Sequence, residues 1–454
     1  EILSGLVGSE MCIRDRGIHA HPDSSLPAQS LTIFIQQVLL QTHTPIIKNE
    51  RLFLLTIAGI QFTHILDFMI MMPLGPQLIR LLHIDTHQFG LLLSSYTFTA
   101  AASSLLAATY IDRFDRRKLM LVLYACFIIA TLCCGLAPNF TFLLIARALA
   151  GAFGGILGGL VQTMIADVIP FERRGKALGT VMAAFSISTV AGVPLGLLLA
   201  STFTTLGWRA PFFFIVLLAT IFWVIGYKLL PNLTAHLHNK PLGNVFQRIF
   251  AVAKEPRHIT AFAFIAMIMM AGFTVIPYIA LYMTTNVGLP ESFITVVYLC
   301  GGAATFFTSQ LIGRMADKYG KLKVYRRVAL ASFIPLLITT HLVPIAWWLV
   351  LINSTIFFIL VPGRMVPGMA MVSAVPEAHV RGTFMTLISS VQMLSSGLAT
   401  LIAGLIITRT PDGMIEHYDT VGYLAVACGV VTIWLAQRLR IPPDPAGGTS
   451  KAGA

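Results

Sequence analysis

Three ionisable side chains stand inside long apolar stretches of the 454-residue sequence: Asp67, Arg147 and Arg364, with His64 and His341 as titratable companions. An ionisable group at bilayer depth costs at least ~2.5–3.5 kcal/mol and marks a pathway or a partner. Asp67 lies about 15 residues into its stretch from one side, ~22 Å at the helical rise. Arg147 lies about 7 residues into its own stretch from the other side, ~10 Å deep and so ~20 Å from the first face. The two opposite charges therefore reach nearly the same depth. Apolar surroundings penalise the charge of a carboxylate, and a neighbouring guanidinium restores it. A cation or a change of conformation can tip that balance, which makes Asp67 a proton or cation site and Arg147 its modulator. The competing reading is a static, self-neutralised pair that joins two helices.

His64 precedes Asp67 by three residues and shares its helix face, as a hydrogen-bonding cavity liner or as a relay. Gln61, one turn further back, is a polar cavity contact. Arg364 stands between Pro362 and Pro367, where broken backbone could line a cavity, and either attracts an anionic group or answers lipid headgroups. Gln162, Asn353 and Gln392 complete the candidate cavity amides, and His341, near a helix end, snorkels. The sequence holds no convergent Ser/His, paired-carboxylate or metal-ligand constellation and no Gly-x-x-x-x-Gly-Lys-Ser/Thr nucleotide loop. No catalytic centre, metal or cofactor is expected, nor transport driven directly by ATP.

The elements that position these groups follow from composition. Charged residues make up 11% of the chain and hydrophobic residues 56%, with a mean hydropathy of +0.80. A soluble domain carries roughly a quarter charged residues. A soluble chain this apolar could not cover its own surface, which excludes a soluble enzyme or a nucleic-acid binder in spite of the net charge of +12. The six cysteines are too scattered for a disulfide framework, and Cys126, Cys133, Cys134, Cys300 and Cys428 read as small buried hydrophobes.

A spanning helix needs about 20 mostly apolar residues. Twelve stretches qualify: 52–72, 88–110, 119–137, 140–166, 177–201, 211–230, 259–283, 292–312, 324–343, 346–371, 383–408 and 421–437. Short connections, as at Pro138-Asn139, make neighbours antiparallel. With the N-terminus inside, 24 of the 31 Lys and Arg fall in inner connections and tails, whereas the outer connections hold only Arg80, Arg209 and Arg409. The basic excess is topological, and both termini face the cytoplasm.

Met11-Cys12-Ile13-Arg14-Asp15-Arg16 reads like a translated sequencing-library transposase end, so residues 1–16 are set aside as an assembly artefact. Residues 17–51 form an N-terminal segment with no assigned role, whose apolar run Leu31 to Leu40 is too short to span. The rest divides into an N-terminal six-helix half at 52–230, a cytoplasmic loop at 231–258, a C-terminal six-helix half at 259–437 and a disordered cytoplasmic tail at 438–454. The division rests on a repeat. Asp112 and Asp317, each followed by a basic residue, are 205 residues apart; Gly175 and Gly382 are 207 apart, as are the starts of the first and seventh stretches. Three concordant offsets make the halves a parallel repeat.

These residues resemble the major facilitator superfamily over nearly all of 52–437, and in particular its branch of twelve-helix drug:proton antiporters and sugar-efflux-like carriers. The family's loop motif reads Gly-x-x-x-Asp-Arg/Lys-x-Gly-Arg/Lys-Arg/Lys. The second copy matches at Gly313, Asp317, Lys318, Gly320 and Lys321. The first, with Asp112, Arg113 and Arg116, departs at Ala108 and Asp115. The resemblance implies an all-α membrane fold of twelve transmembrane helices in two parallel six-helix repeats. It further implies that Asp112 sits near the start of the eleventh helix, about Gly382, and Asp317 near the start of the fifth, about Gly175, with an Arg116–Asp167 pair inside the first half. An aspartate at another helix's N-terminus is favourable by about 0.3–1 kcal/mol when exposed. The competing reading is that these charges merely anchor helix ends at the headgroups.

The resemblance also implies that the first and fourth helices adjoin a central cavity, so that Asp67 and Arg147 face it and meet there directly or through water. Arg147-Ala148-Leu149-Ala150-Gly151 resembles a fourth-helix motif of proton-coupled transporters. Gly192-Val193-Pro194-Leu195-Gly196 resembles an export-associated fifth-helix motif. Physically, Gly192, Pro194 and Gly196 let a helix bend, and a bend alone has no direction.

The chain thus reads as a monomeric secondary active transporter in the cytoplasmic (inner) membrane of a bacterium. It exports small amphipathic compounds by alternating access, with protons as the coupling ion and the lipid bilayer as its surroundings. Methionine clusters such as Met69, Met71 and Met72 suit a promiscuous pocket, and equally suit plain packing. Export of sugars or other polar metabolites is the alternative on the same fold. A non-transporting receptor or scaffold is the alternative of another class, and the gate motifs and the intramembrane pair argue against it.

Overall fold

The computed structural model describes residues 50–169, 171–233, 245–377 and 380–439. The artefact expected at 1–16, the segment 17–49 and the tail from 440 onward lie outside the described residues. The helices are α1 (Glu50–Ile70), α2 (Gly75–Leu82), α3 (Thr86–Tyr110), α4 (Arg116–Leu136), α5 (Phe140–Val168), α6 (Phe171–Ile187), α7 (Val193–Thr202), α8 (Ala210–Leu229), α9 (Val245–Lys254), α10 (Pro256–Phe273), α11 (Ile279–Thr285), α12 (Glu291–Tyr319), α13 (Lys321–Thr340), α14 (Trp347–Gly363), α15 (Met365–Val372), α16 (Arg381–Ile406) and α17 (Tyr418–Arg438).

Eleven spans among the described residues are long and apolar enough to cross a membrane, with α6–α7, α10–α11 and α14–α15 each forming one interrupted span. The twelfth, α13, is 20 residues long and packs beside α14 and α17 like the others. Lys321, Lys323, Arg326 and Arg327 crowd its first two turns, so its charge, not its length, sets it apart. The repeat is visible in the helix starts: α4 and α13 begin 205 residues apart (116 to 321), and α5 and α14 207 apart (140 to 347).

Polar residues between the apolar runs fix the helix ends. Asp85 caps α3 by accepting from Gln88 N at 2.6 Å, and the Gln88 side chain accepts from Asp85 N at 3.1 Å, a reciprocal capping box. Asn139 caps α5 through Phe142 N at 2.9 Å. Gly320, at φ 93°, takes the left-handed turn between α12 and α13 that a side chain would strain.

Three interruptions fall where the sequence carries Pro or Gly. A π-helical turn, Ser188–Gly192, joins α6 to α7 just before Pro194. A short 3-10 turn, Ile276–Tyr278, holding Pro277, separates α10 from α11. The tenth span bends at Arg364, between Pro362 and Pro367. The 231–258 region, expected as a plain loop, includes the amphipathic helix α9, and α10 begins already at Pro256.

The halves meet along two helix pairs. α3 lies along α16: Thr86 Oγ1 donates to Ile407 O at 2.7 Å near one end, and Ser104 and Ser390 share a hydrogen bond of 3.0 Å further along. α12 crosses the π turn, where a Cβ on Gly302 would stand 2.9 Å from Thr189 O and from Val190 Cα. At one end of the bundle Arg80, on α2, pairs with Glu291, at the start of α12, at 2.7 Å, and Gln77 Nε2 donates to the same carboxylate at 3.1 Å. A cleft of about 640 Å³ opens beside that pair, lined by His83, Thr284 and Arg409 among others, remote from Asp67. A two-residue hairpin, β1 (Thr408–Arg409) with β2 (Ile415–Glu416), joins α16 to α17. Asn286 clasps it, donating to Ile415 O at 2.8 Å and accepting from Ile415 N at 2.9 Å.

Candidate transport site

The site is built inside the first half by the close approach of α5 to α3. A Cβ on Gly151 would overlap the Tyr96 carbonyl oxygen, and one on Gly155 the Ala100 carbonyl. Two glycines four residues apart therefore let the backbones touch. This seats Arg147, one turn before Gly151, against Tyr96: the guanidinium carbon is 4.4 Å from the ring centroid, a cation–π contact.

From α1, Asp67 meets the same guanidinium. Arg147 Nη1 donates to Asp67 Oδ2 at 2.8 Å and to Asp67 O at 3.3 Å. Both side chains are 0% exposed. Thr131 and Cys134 of α4 stand beside the pair. Thr131 is the polar neighbour of the Asp67 carboxylate, and Arg147 Nε is buried without a hydrogen bond. The pair is neutral overall and sparsely bonded, since both bonds between the two residues come from Nη1, out of the five donors of a guanidinium.

His64 extends this polar nest. Its ring is 6.0 Å from that of Phe127 and 6.4 Å from that of Tyr96. Gly154 leaves the space: a Cβ there would stand 2.6 Å from the Tyr96 hydroxyl and 2.7 Å from His64 Cδ2. The Tyr96 hydroxyl and His64 Nδ1 also have no hydrogen-bond partner. Phe68, next to Asp67, has its ring 5.5 Å from Tyr96 and 6.1 Å from Phe273 of the second half.

The expectation that Asp67 and Arg147 face a cavity reached by water is corrected here. The two meet directly, but Tyr96, Thr131 and Cys134 enclose them, and neither side chain is exposed in this conformation. Gln61 Oε1 is buried without a partner, Gln162 is exposed, and Gln392 Nε2 donates to Met369 Sδ at 3.6 Å. None of these amides hydrogen-bonds to the pair. Arg364 is buried in the second half. Asn353 is structural, donating to Thr339 Oγ1 at 2.9 Å, and His341 meets the Tyr423 hydroxyl at 3.0 Å at a helix end. Tyr96, Thr131, Cys134 and Gly154 were not anticipated; the spacing of Gly151, Gly154 and Gly155 was the available signal. Among the described residues no group of three or more His, Cys, Asp or Glu could hold a metal ion.

The family model described as Major Facilitator Superfamily matches residues 57–399 and again 261–454. The chain belongs to the major facilitator superfamily. Solved structures show the same fold. A mutant of the nucleoside transporter NupG has a TM-score of 0.66 at 12% identity, covering 85% of this chain and 99% of that one. The D-xylose-proton symporter gives 0.68 at 15%, covering 84% and 96%. A bacterial homolog of the human lysosomal transporter Spinster, in an inward-facing and occupied conformation, gives 0.61 at 16%, covering 85% and 93%.

In this major facilitator chain the two copies of the loop motif stand differently. In the first, Arg116 is buried and forms an ion pair with Asp167, and Asp115 caps α4 by accepting from Arg117 N at 2.9 Å. Arg113 is exposed, and the Asp112 side chain lies outside the described residues. In the second, Asp317 is exposed and makes no hydrogen bond or ion pair among the described residues, and Lys318 Nζ lies 5.3 Å from the Tyr319 ring centroid. Gly313 faces Val366 Cγ1, 3.7 Å from where its Cβ would be, Lys321 opens α13, and the space beside Gly382 is empty to 4 Å. The placement of Asp317 against the start of the fifth span, about Gly175, falls on side chains outside the described residues. In the fifth span, Gly192 and Gly196 pack on α1, where a Cβ would stand 2.9 Å from Leu66 Cδ1 and 2.6 Å from Ile70 Cδ1, and the bend is the π turn ahead of Pro194.

Proposed function

We propose that this transporter is a proton-coupled exporter of small amphipathic compounds, with Asp67 as the proton site and Arg147 as the group that discharges it. The sealed 2.8 Å contact between Asp67 and Arg147 carries the reading. When the first half opens, a proton adds to Asp67 Oδ1, the carboxylate becomes a neutral acid, and its hold on the guanidinium weakens. Arg147 then rests on the Tyr96 ring. Loss of the proton restores the carboxylate and the ion pair, and the dry nest closes again. The sparse hydrogen bonding of the paired state supports two arrangements of similar energy, since unpaired buried groups cost about 1–3 kcal/mol each.

The distribution of Lys and Arg supports placing both termini in the cytoplasm and the Arg80–Glu291 end outside, in a bacterial inner membrane. The ion pair at that end supports an inward-facing state. Asp112 and Asp317 then act as latches when the inner end closes. One chain, without a partner subunit, carries out the cycle.

The test is efflux of a panel of amphipathic dyes from proteoliposomes, with and without an imposed proton gradient, alongside a pH-sensitive dye. The wild type is expected to couple the two fluxes, and Asp67→Asn to lose proton movement. Undiminished proton flux in Asp67→Asn sinks the assignment. Absence of any flux in the wild type favours a receptor or scaffold. Polar metabolites form the second reading, supported by the unpartnered Gln61 Oε1, and a nucleoside and a pentose in the same panel decide it.

A further inference from the structure

Among the described residues, the second half encloses a cation with no hydrogen-bond or ion-pair partner. Arg364 is 1% exposed, and its Nε, Nη1 and Nη2 make no hydrogen bond. The bend between α14 and α15 holds it in place: Arg364 N donates to Leu360 O and Arg364 O accepts from Gly368 N, both at 3.2 Å. Beside the guanidinium, a Cβ on Gly272 of α10 would stand 3.7 Å from Nη2, so that side carries no side chain. Tyr325 and Cys428 stand close by, with Thr432 next to the Tyr325 hydroxyl. One turn on, Phe264, Ile268 and the Tyr325 ring pack around Gly368.

A buried charge persists only with a counter-charge or strong hydrogen bonds. No acidic residue of the second half can supply one from within the membrane. Glu291, Asp317, Glu377, Asp412, Glu416 and Asp419 all lie at helix ends or in connections. In the first half, Asp67 is taken by Arg147 and Asp167 by Arg116. Resting against lipid headgroups does not suit it either, because the side chain is buried within the protein.

We propose that Arg364, with the Tyr325 hydroxyl, binds the carboxylate of the transported compound, so that the substrates are amphipathic organic monoanions. The guanidinium fork matches a carboxylate with two parallel N–H donors. A single cation neutralises a single negative charge, which disfavours phosphate dianions. The apolar side chains around Gly368 take the rest of the molecule. This rests on the transport reading above for its physiological meaning, but the binding itself does not depend on proton coupling.

The experiment is thermal unfolding of the purified full chain in non-ionic detergent. It is titrated with 2-naphthoate, the neutral 2-naphthamide, the cationic 2-naphthylmethylammonium and, separately, phosphatidylglycerol. Naphthoate alone is expected to raise Tm. Arg364→Lys should weaken its apparent Kd by about ten-fold or more, as expected when a bidentate pair becomes a point charge, and Arg364→Met should abolish the response. Without ligand, Arg364→Met is expected to melt no lower than wild type, because it removes an unanswered charge. A large fall in its Tm or a failure to fold, an unchanged naphthoate response in it, an equal response to the amide or the ammonium, or a response to phosphatidylglycerol alone would each overturn the proposal. Asp67→Asn is expected to keep the naphthoate shift. A failure of proton coupling is thereby told apart from a failure of anion binding.

Discussion

Asp67 and Arg147 form their ion pair at 2.8 Å between two side chains that are both wholly shielded from solvent. Such a pair is weak evidence for stability but strong evidence against removing one member. Asp67→Leu alone, or Arg147→Met alone, strands a charge and is expected to cost about 3–5 kcal/mol in denaturant unfolding. The double variant is expected to lose less than either single one, which a double-mutant cycle reads directly. Additive losses would mean that the two charges do not depend on each other.

Gly302 marks where α12 crosses the π turn of the other half. A Cβ would stand 2.9 Å from Thr189 O and Val190 Cα. Gly302→Val forces the halves apart here and is expected to cost ~1–3 kcal/mol, the usual range for overpacking. It should also reduce transport by about ten-fold, the kinetic equivalent of ~1.4 kcal/mol, with Gly302→Ala between it and the wild type. Unchanged flux in Gly302→Val would mean that this crossing does not limit the cycle.

Glu291 accepts from both Arg80 and Gln77, yet the Arg80 side chain is 64% exposed. Glu291→Gln is therefore expected to change stability by no more than about 1 kcal/mol. Its effect should appear in conformation. Spin labels at the exposed Leu81 and Met414 are expected to show a larger fraction of long distances in Glu291→Gln, and the charge swap Arg80→Glu with Glu291→Arg should restore the wild-type distribution. Identical distributions in all three proteins would deny the contact a gating role.

The bend of the fifth span belongs to the π turn rather than to Pro194. Pro194→Ala is expected to leave transport within about two-fold of wild type, because the extra residue of the π turn still offsets the helix faces. Deleting Val190 turns α7 by about 100° relative to α6 and is expected to abolish flux. A severe Pro194→Ala phenotype would return the bend to the proline.

The spans were legible because bilayer thickness fixes apolar length, and the limits at Phe140 and at Pro138-Asn139 agree between sequence and structure. α13 shows the boundary of that logic: four cations in its first turns dilute the hydropathy without stopping the helix. The shared level of Asp67 and Arg147 was legible from the helical rise alone. Their enclosure was not, since depth along a helix says nothing about rotation around it. Rotation is set by contacts such as Gly151 on Tyr96, between residues far apart in sequence. Gly192 and Pro194 marked the bend in the fifth span, but composition does not distinguish a π turn from an α turn there.

Asn286 spends both faces of its amide on the backbone of the hairpin at Ile415. The tip of the seventh span and the strand pair before the twelfth are therefore fastened as one piece. An antibody fragment gripping that hairpin would hold a lever attached to the broken seventh helix. It could freeze the carrier in one posture, or report each stroke, without entering the bilayer.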